Sequence, residues 1–114
     1  MKIEESGESM LFNEVQQILR AHKKNLSQFG VQALAIFGST AKNEGRKDSD
    51  VDILIDFDSK KGLFVFLSLK DYLENLLHCK VDLVTKKGLH PALKKRIISE
   101  AKQIFYMAYS KKSN

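Results

Sequence analysis

The chain has few of the residues that build covalent or metal-clamped scaffolds. Its 114 residues include a single cysteine, Cys79, and a single proline, Pro91. A lone cysteine excludes an internal disulfide and cannot by itself form a zinc cluster. No apolar run approaches the roughly 20 residues that cross a bilayer. The polar, acidic start MKIEESGES also lacks the charged-then-apolar order of a secretion signal. We therefore expect a cytoplasmic protein without a membrane segment.

Glycine is also scarce, and its placement excludes two classes of nucleotide site. The six glycines form neither the repeated pattern of a dinucleotide-binding fingerprint nor the Gly-Lys-Ser/Thr ending of a Walker loop. The remaining composition, 43% hydrophobic and 29% charged, is that of an ordinary globular protein. At this length we expect one domain, 1–114, built around one core.

Charge is abundant but unevenly distributed. The formal net charge is +5; lysines crowd the last quarter of the chain, whereas acidic residues concentrate around positions 48–58. A basic flank beside an acidic centre suits an anionic substrate such as a nucleotide, an RNA or an acidic protein partner. A solvated helix face is the plainer explanation of the lysines.

Hydrophobic periodicity predicts a chain of alternating helices and strands. A first helix, capped by Ser6 or Ser9, ends before Gly30. Strands are predicted at 32–37, 51–55 and 80–85, and helices at 40–44, at 63–77 and from Pro91 onward. The last helix is expected to turn a core-facing stripe inward: Leu93, Ile97, Ala101, Ile104, Phe105 and Ala108. The order predicts an α/β (α+β) fold, with a small mixed sheet of about three or four strands and helices packed on it.

The stretch 34–57 combines a phosphate-binding turn with paired carboxylates. An apolar strand ends at Gly38-Ser39, a tight turn whose backbone N–H groups can hold a phosphate. The next strand begins with Asp50 and Asp52, which point the same way because residues two apart share a face of a strand. Two carboxylates so close repel each other by ~1 kcal/mol or more, and a divalent cation removes that penalty.

Asp82 occupies a similar position on the third predicted strand. Val81 and Leu83 flank it, so its side chain must leave the core face. If the second and third strands are neighbours, the three aspartates form an oxygen-rich pocket suited to Mg²⁺. This indicates metal-assisted phosphoryl or nucleotidyl transfer, in which Asp82 either binds a metal or accepts a proton. Taken singly, an Asp-x-Asp pair often lies on the solvent-exposed face of an edge strand, and a Gly-Ser pair often forms an ordinary turn.

Two segments carry a family resemblance. Residues 38–42 (GSTAK), followed by 49–54 (SDVDIL), resemble the Gly-Ser…Asp-x-Asp signature of the DNA polymerase β-like nucleotidyltransferase superfamily. The short chain and the 81–85 strand resemble its minimal nucleotidyltransferase (MNT) branch, over about 30–106. The resemblance implies the polymerase β-like fold. It also implies catalytic residues that hold Mg²⁺, as two ions: Asp50, Asp52 and Asp82.

The same resemblance implies a set of nucleotide-binding residues. Gly38 and Ser39 would hold the phosphates, and Ser49 matches the residue before the first aspartate, as a turn or capping hydroxyl. Lys42 stands where the family usually has arginine. A lysine keeps the positive charge but loses the planar two-pronged grip on phosphate, so nucleotide affinity or activity is expected to be lower.

The MNT branch further implies a reaction and a partner. Its members are commonly antitoxins that silence a HEPN-domain ribonuclease toxin by transferring AMP from ATP to a toxin tyrosine. The first hypothesis is therefore a protein adenylyltransferase antitoxin that forms a hetero-oligomer with its toxin. Direct nucleic-acid binding is not expected, because the chain has no aromatic stacking array for single strands.

Two alternatives to this hypothesis stay open. One is a non-catalytic module that neutralises its partner by contact, through the basic last helix, Tyr106 and Tyr109. The other is nucleotidyl transfer to a small molecule or an RNA.

Overall fold

The computed structural model describes residues 12–41 and 50–107, which form helices packed on one sheet. In chain order these elements are α1 (Phe12–Ala21), α2 (Lys23–Gln28), β1 (Val31–Phe37), α3 (Gly38–Ala41), β2 (Val51–Phe57), α4 (Gly62–Leu77), β3 (Val81–Thr85), α5 (Pro91–Glu100) and β4 (Lys102–Tyr106). A 3-10 turn, Ser59–Lys61, joins β2 to α4. The predicted α+β fold is confirmed.

The four strands form one mixed sheet in the order β3-β2-β1-β4. β1 is antiparallel to β2 and to β4, whereas β2 and β3 are parallel. A parallel pair needs a crossover connection, and α4 supplies it. Because β2 and β3 run in the same direction, their N-terminal ends lie at the same end of the sheet. The aspartates of the sequence lie at this end.

The core lies on one face of the sheet. Alternation along β2 buries Val51, Ile53 and Ile55 completely or nearly so, and turns the intervening side chains to the opposite face. The helices close the core with fully buried leucines: Leu19, Leu26, Leu69, Leu73 and Leu77. The opposite face, which carries Asp52, is covered only in part, by α5.

The C-terminal quarter departs from the prediction. α5 ends at Glu100, and the residues predicted to continue that helix form β4 instead. Ile104 and Phe105 are buried there, because β-branched and aromatic side chains suit a strand and because pairing with β1 satisfies an otherwise open sheet edge. The predicted core-facing stripe is wrong as well. None of the ten residues of α5 is buried, and Leu93 is 47% exposed. Ala108 lies outside the described residues.

The predicted first helix is two helices that meet at His22. The N–H of His22 donates to the carbonyl of Leu19 at 3.2 Å, one residue short of the α-helical partner. Nδ1–H of His22 donates instead to the carbonyl of Ile18 at 2.9 Å. The imidazole thus replaces the backbone bond that the break removes. The predicted caps, Ser6 and Ser9, lie outside the described residues.

The remaining elements follow the prediction with small shifts. β2 runs on to Phe57 rather than ending at Ile55, and α3 begins at Gly38 rather than at Thr40; its predicted continuation to Glu44 lies outside the described residues. Within residues 12–41 and 50–107, no helix has the length and apolar character needed to cross a membrane.

Candidate active site

β1 ends at a glycine that is closely opposed to Asp52. Gly38 has φ +73°, a left-handed conformation that glycine adopts without steric cost. A Cβ added to Gly38 would overlap Oδ2 of Asp52. The carboxylate therefore lies directly against the backbone of the turn, as the pairing of Phe37 with Asp52 across β1 and β2 requires.

Gly38 and Ser39 form the first turn of α3, which follows β1 without a loop. The first N–H groups of a helix have no acceptor within the helix, so this turn presents donors beside the Asp52 carboxylate. Thr40 and Ala41 anchor it, being 2% and 1% exposed. The turn thus places hydrogen-bond donors next to a negative charge. An anion can bind these donors only if that charge is neutralised.

Asp52 and Asp82 lie side by side on the parallel strands β2 and β3. Their Cα atoms are register partners, and neighbouring strands are about 4.8 Å apart. Burial, followed by the negative charges of Asp82 and Asp50 and by hydrogen bonding with the carboxyl group of Asp82, raises the pKa of Asp52 from 3.8 to about 6. Asp82 is exposed on the edge strand, so an incoming group can reach it.

Asp50 lies at the rim of this site rather than inside it. Its side chain is exposed, although its charge acts on Asp52. In the part of the chain that the structure describes, no group of three or more His, Cys, Asp or Glu side chains is arranged to hold a metal ion.

The donor set nevertheless suits Mg²⁺ chemically. The paired oxygens of Asp52 and Asp82 are the hard ligands that this ion prefers. Burial and the neighbouring carboxylates raise the pKa of Asp52, and a bound cation would favour its charged form.

Two predicted nucleotide-binding residues cannot be placed. Lys42 and Ser49 both fall within residues 42–49, outside the described residues. The structure therefore brings together Gly38, Ser39 and the aspartates, whereas the roles of Lys42 and Ser49 stay predictions.

Glu74, near the end of α4, is a supporting residue that sequence reasoning missed. Its Oε2 accepts hydrogen bonds from the N–H of Val81 at 3.0 Å and from Nζ of Lys70 at 3.2 Å. These two donors, the N–H of Val81 first, hold the pKa of Glu74 below its usual range. The i,i+4 spacing with Lys70 signals an ion pair, but no sequence pattern signals the tertiary bond to Val81, the residue before Asp82.

The lone cysteine lies near the aspartates but lacks the properties of a nucleophile. Cys79 is half-buried; burial, then the charges of Asp50 and Glu74, raises the pKa of its thiol. A thiol that stays protonated reacts poorly. The chemistry available here is therefore that of carboxylates and backbone donors.

Comparison with known proteins agrees with this geometry. Residues 15–105 match the nucleotidyltransferase domain family. Over 92 residues the chain is 44% identical to the protein adenylyltransferase MntA of Thermococcus cleftensis, covering 80% of this chain and 93% of that protein. A solved structure described as a minimal nucleotidyltransferase is 33% identical with a TM-score of 0.73, covering 82% of this chain and 95% of the other.

A more distant structure shows the same fold in a complex. It contains a tri-AMPylated HEPN toxin of Shewanella oneidensis with its MNT antitoxin; the match is 20% identical with a TM-score of 0.60, covering 83% of this chain and 76% of the other. The family match, the MntA relative and the turn–carboxylate geometry lead to one conclusion: the chain belongs to the nucleotidyltransferase domain family, in its minimal, MntA-like branch.

Proposed function

We propose that this nucleotidyltransferase is a Mg²⁺-dependent protein adenylyltransferase that transfers AMP from ATP to a tyrosine of a HEPN-type toxin partner. The observation that carries the proposal is the contact of Asp52 with the Gly38 turn, together with the position of Asp82 beside Asp52 on the neighbouring strand. The protein acceptor and the AMP group are supported by the similarity to MntA over 93% of its length and by the fold shared with the antitoxin of an AMPylated HEPN toxin.

Each placed residue has a role in this reaction. Asp52 and Asp82 would hold Mg²⁺, as two ions, with Asp50 at the rim; when bound, the metal supplies charge neutralisation at the triphosphate. The N–H groups of Gly38 and Ser39 would hold phosphate oxygens. Asp82 is exposed on the edge strand, where an acceptor hydroxyl could reach it.

The bond changes follow from this placement. The tyrosine oxygen attacks the α-phosphorus, a new P–O bond forms, and pyrophosphate leaves with the electron pair of the broken bond. Asp82 would either help to hold the metal or accept the proton of the attacking hydroxyl.

Lys42 and Ser49 complete the proposed nucleotide site. Lys42 would contribute a positive charge to the phosphates without the planar grip of an arginine, and Ser49 a hydroxyl beside Asp50. That residues 1–114 form one minimal nucleotidyltransferase domain is part of the same proposal.

The test is AMP transfer in a purified system. Incubation of the chain with ATP, Mg²⁺ and the product of the neighbouring gene should add the mass of AMP to a tyrosine of that protein. Since the aspartates provide several kcal/mol of charge stabilisation through the metal, Asp52→Asn and Asp82→Asn should each slow transfer about a thousandfold. Asp71→Asn, an exposed carboxylate on α4, is the matched control and should keep the wild-type rate.

Two results would count against the proposal. An intact Asp50→Asn plus Asp52→Asn double variant that still adds AMP would remove the catalytic assignment. Toxin neutralisation that needs no ATP and survives loss of all three aspartates would show that contact alone is sufficient.

A further inference from the structure

The first two turns of α4 expose large apolar side chains. Leu63 is 67% exposed, Phe64 85% and Leu67 47%; we name these three residues the α4 patch. The second half of the same helix is fully buried on its inner face, at Leu69, Leu73 and Leu77. Contiguous exposed apolar side chains of this size commonly mark an interaction site.

A cavity of about 340 Å³ opens beside the α4 patch. Leu63 forms part of its wall together with Phe57 and Phe66, whose rings meet edge to face with centroids 5.6 Å apart. Asp56, Thr85 and Lys87 supply its polar side. An apolar cavity with a few polar groups can receive an inserted side chain, so the α4 patch continues into a concave surface.

The α4 patch lies far from the acids. Phe57, in the cavity wall, follows Asp52 by five positions along β2, a distance of ~17 Å in an extended strand. Because β2 and β3 are parallel, Asp52 and Asp82 lie near the N-terminal ends of these strands and the cavity lies at their C-terminal ends. A macromolecule seated on the α4 patch would leave the acid site open to ATP.

The charges around the α4 patch select among occupants. Lys60 and Lys61 immediately precede α4, and Lys87 lines the cavity; all three are exposed. A second copy of the chain related by two-fold symmetry would bring these lysines against one another. An anionic bilayer is a flat surface and would leave the cavity behind Leu63 unfilled. A protein segment with apolar and acidic residues satisfies both features.

We propose that the α4 patch docks an amphipathic segment of the acceptor protein. Its apolar side chains would pack on Phe64 and enter the cavity, and its acidic residues would face Lys60, Lys61 and Lys87. The identity of the occupant as the acceptor rests on the function proposed above, whereas the docking surface rests on α4 itself.

The test separates docking from chemistry. The variant Phe64→Gln plus Leu67→Gln changes only exposed positions of a helix, so folding should be preserved. With the product of the neighbouring gene as probe, the KM for that protein should rise about tenfold or more, while kcat and the KM for ATP stay unchanged. In an Asp52→Asn background, calorimetry should show the same factor in Kd. The matched control, Leu93→Gln plus Ile98→Gln, changes side chains of α5 that are 47% and 42% exposed and should alter neither value.

A charge variant provides an independent measurement. Lys60→Glu, Lys61→Glu and Lys87→Glu together should weaken binding and flatten its dependence on salt, because the attraction being screened is removed.

The outcomes that overturn the docking proposal are distinct from those that overturn the function. Unchanged KM and Kd in the α4 variant, or an equal loss in the α5 variant, would place the interface elsewhere. Self-association in ultracentrifugation, abolished by the α4 variant, would identify a second copy as the occupant. Co-sedimentation with phosphatidylserine vesicles, abolished likewise, would identify a bilayer. A wild-type chain that binds the probe through α4 but adds no AMP would leave docking intact and remove the catalytic proposal.

Discussion

Asp52 carries a charge that the fold makes unfavourable. Burial and two neighbouring carboxylates raise its pKa from 3.8 to about 6. A raised pKa means that the folded state binds a proton more tightly than the unfolded chain does. Stability is therefore lost as pH rises from about 4 through 6, and the loss is complete above that range. The shift corresponds to ~3 kcal/mol, which solvent screening at this half-open site reduces to ~1 kcal/mol.

Replacing this carboxylate should stabilise the metal-free protein. We expect Asp52→Asn to raise the free energy of unfolding at pH 8 by ~1 kcal/mol, or the Tm by about 4 °C or more. The gain should be about half as large at pH 5, where much of Asp52 is already protonated. Thermal unfolding in EDTA at the two pH values measures both quantities.

Metal provides the control for that experiment. Mg²⁺ should raise the Tm of the wild type at pH 8, because a ligand that binds only the folded state stabilises it, and should have little effect on Asp52→Asn. A variant that is less stable than the wild type at pH 8 without metal would contradict the unfavourable charge.

Gly38 is the other residue on whose geometry the site depends. Gly38→Ala places a methyl group against Oδ2 of Asp52 and strains a left-handed backbone, so we expect a loss of ~1–3 kcal/mol together with loss of AMP transfer. Gly62 has a similar φ of +86° with nothing within 4 Å of an added Cβ. Gly62→Ala should therefore lose stability to backbone strain but keep the stabilisation by Mg²⁺ and ATP. Equal effects of the two variants on that stabilisation would contradict the role of the Gly38–Asp52 contact.

At the scale of elements, the start of β3 is held from two sides. The N–H of Val51 donates to the carbonyl of Lys80 at 3.0 Å, and the carboxylate of Glu74 accepts from the N–H of Val81 at 3.0 Å. The first bond joins β3 to β2, and the second joins it to α4. Together they set the position of Asp82 relative to Asp52.

Removing the second bond should disturb catalysis more than folding. Glu74→Ala leaves the N–H of Val81 without its carboxylate acceptor, and a shift of Asp82 should lower kcat for AMP transfer about tenfold, with little change in the affinity for the partner. Glu74→Gln keeps an acceptor and should recover most of the rate. The control is Glu100→Ala, which removes a comparable i,i+4 pair with Arg96 (3.6 Å) on exposed α5. An equal loss of rate in that control would contradict the positioning role.

At the scale of the whole molecule, sheet topology separates two surfaces. The parallel strands β2 and β3 place the aspartates at their N-terminal end and the aromatic cavity at their C-terminal end. We propose the first end for the nucleotide and the second for the protein that receives AMP. A chain of this size can thus engage two ligands, since neither occupies the surface of the other.

The local pattern of the sequence by itself determined β1, β2, β3 and α4, as well as the side of the sheet to which Asp52 points. Strand alternation and the Gly38 break are properties of neighbouring residues, and they hold in any fold that buries Val51 and Ile53. The tertiary structure alone decided that the residues after Ala101 form β4 rather than more helix. Their apolar spacing is compatible with both, and the free edge of β1, which no local pattern reveals, selects the strand. The adjacency of Asp52 and Asp82 and the bond from Glu74 to Val81 were decided in the same way, because each joins segments that meet only when the sheet assembles.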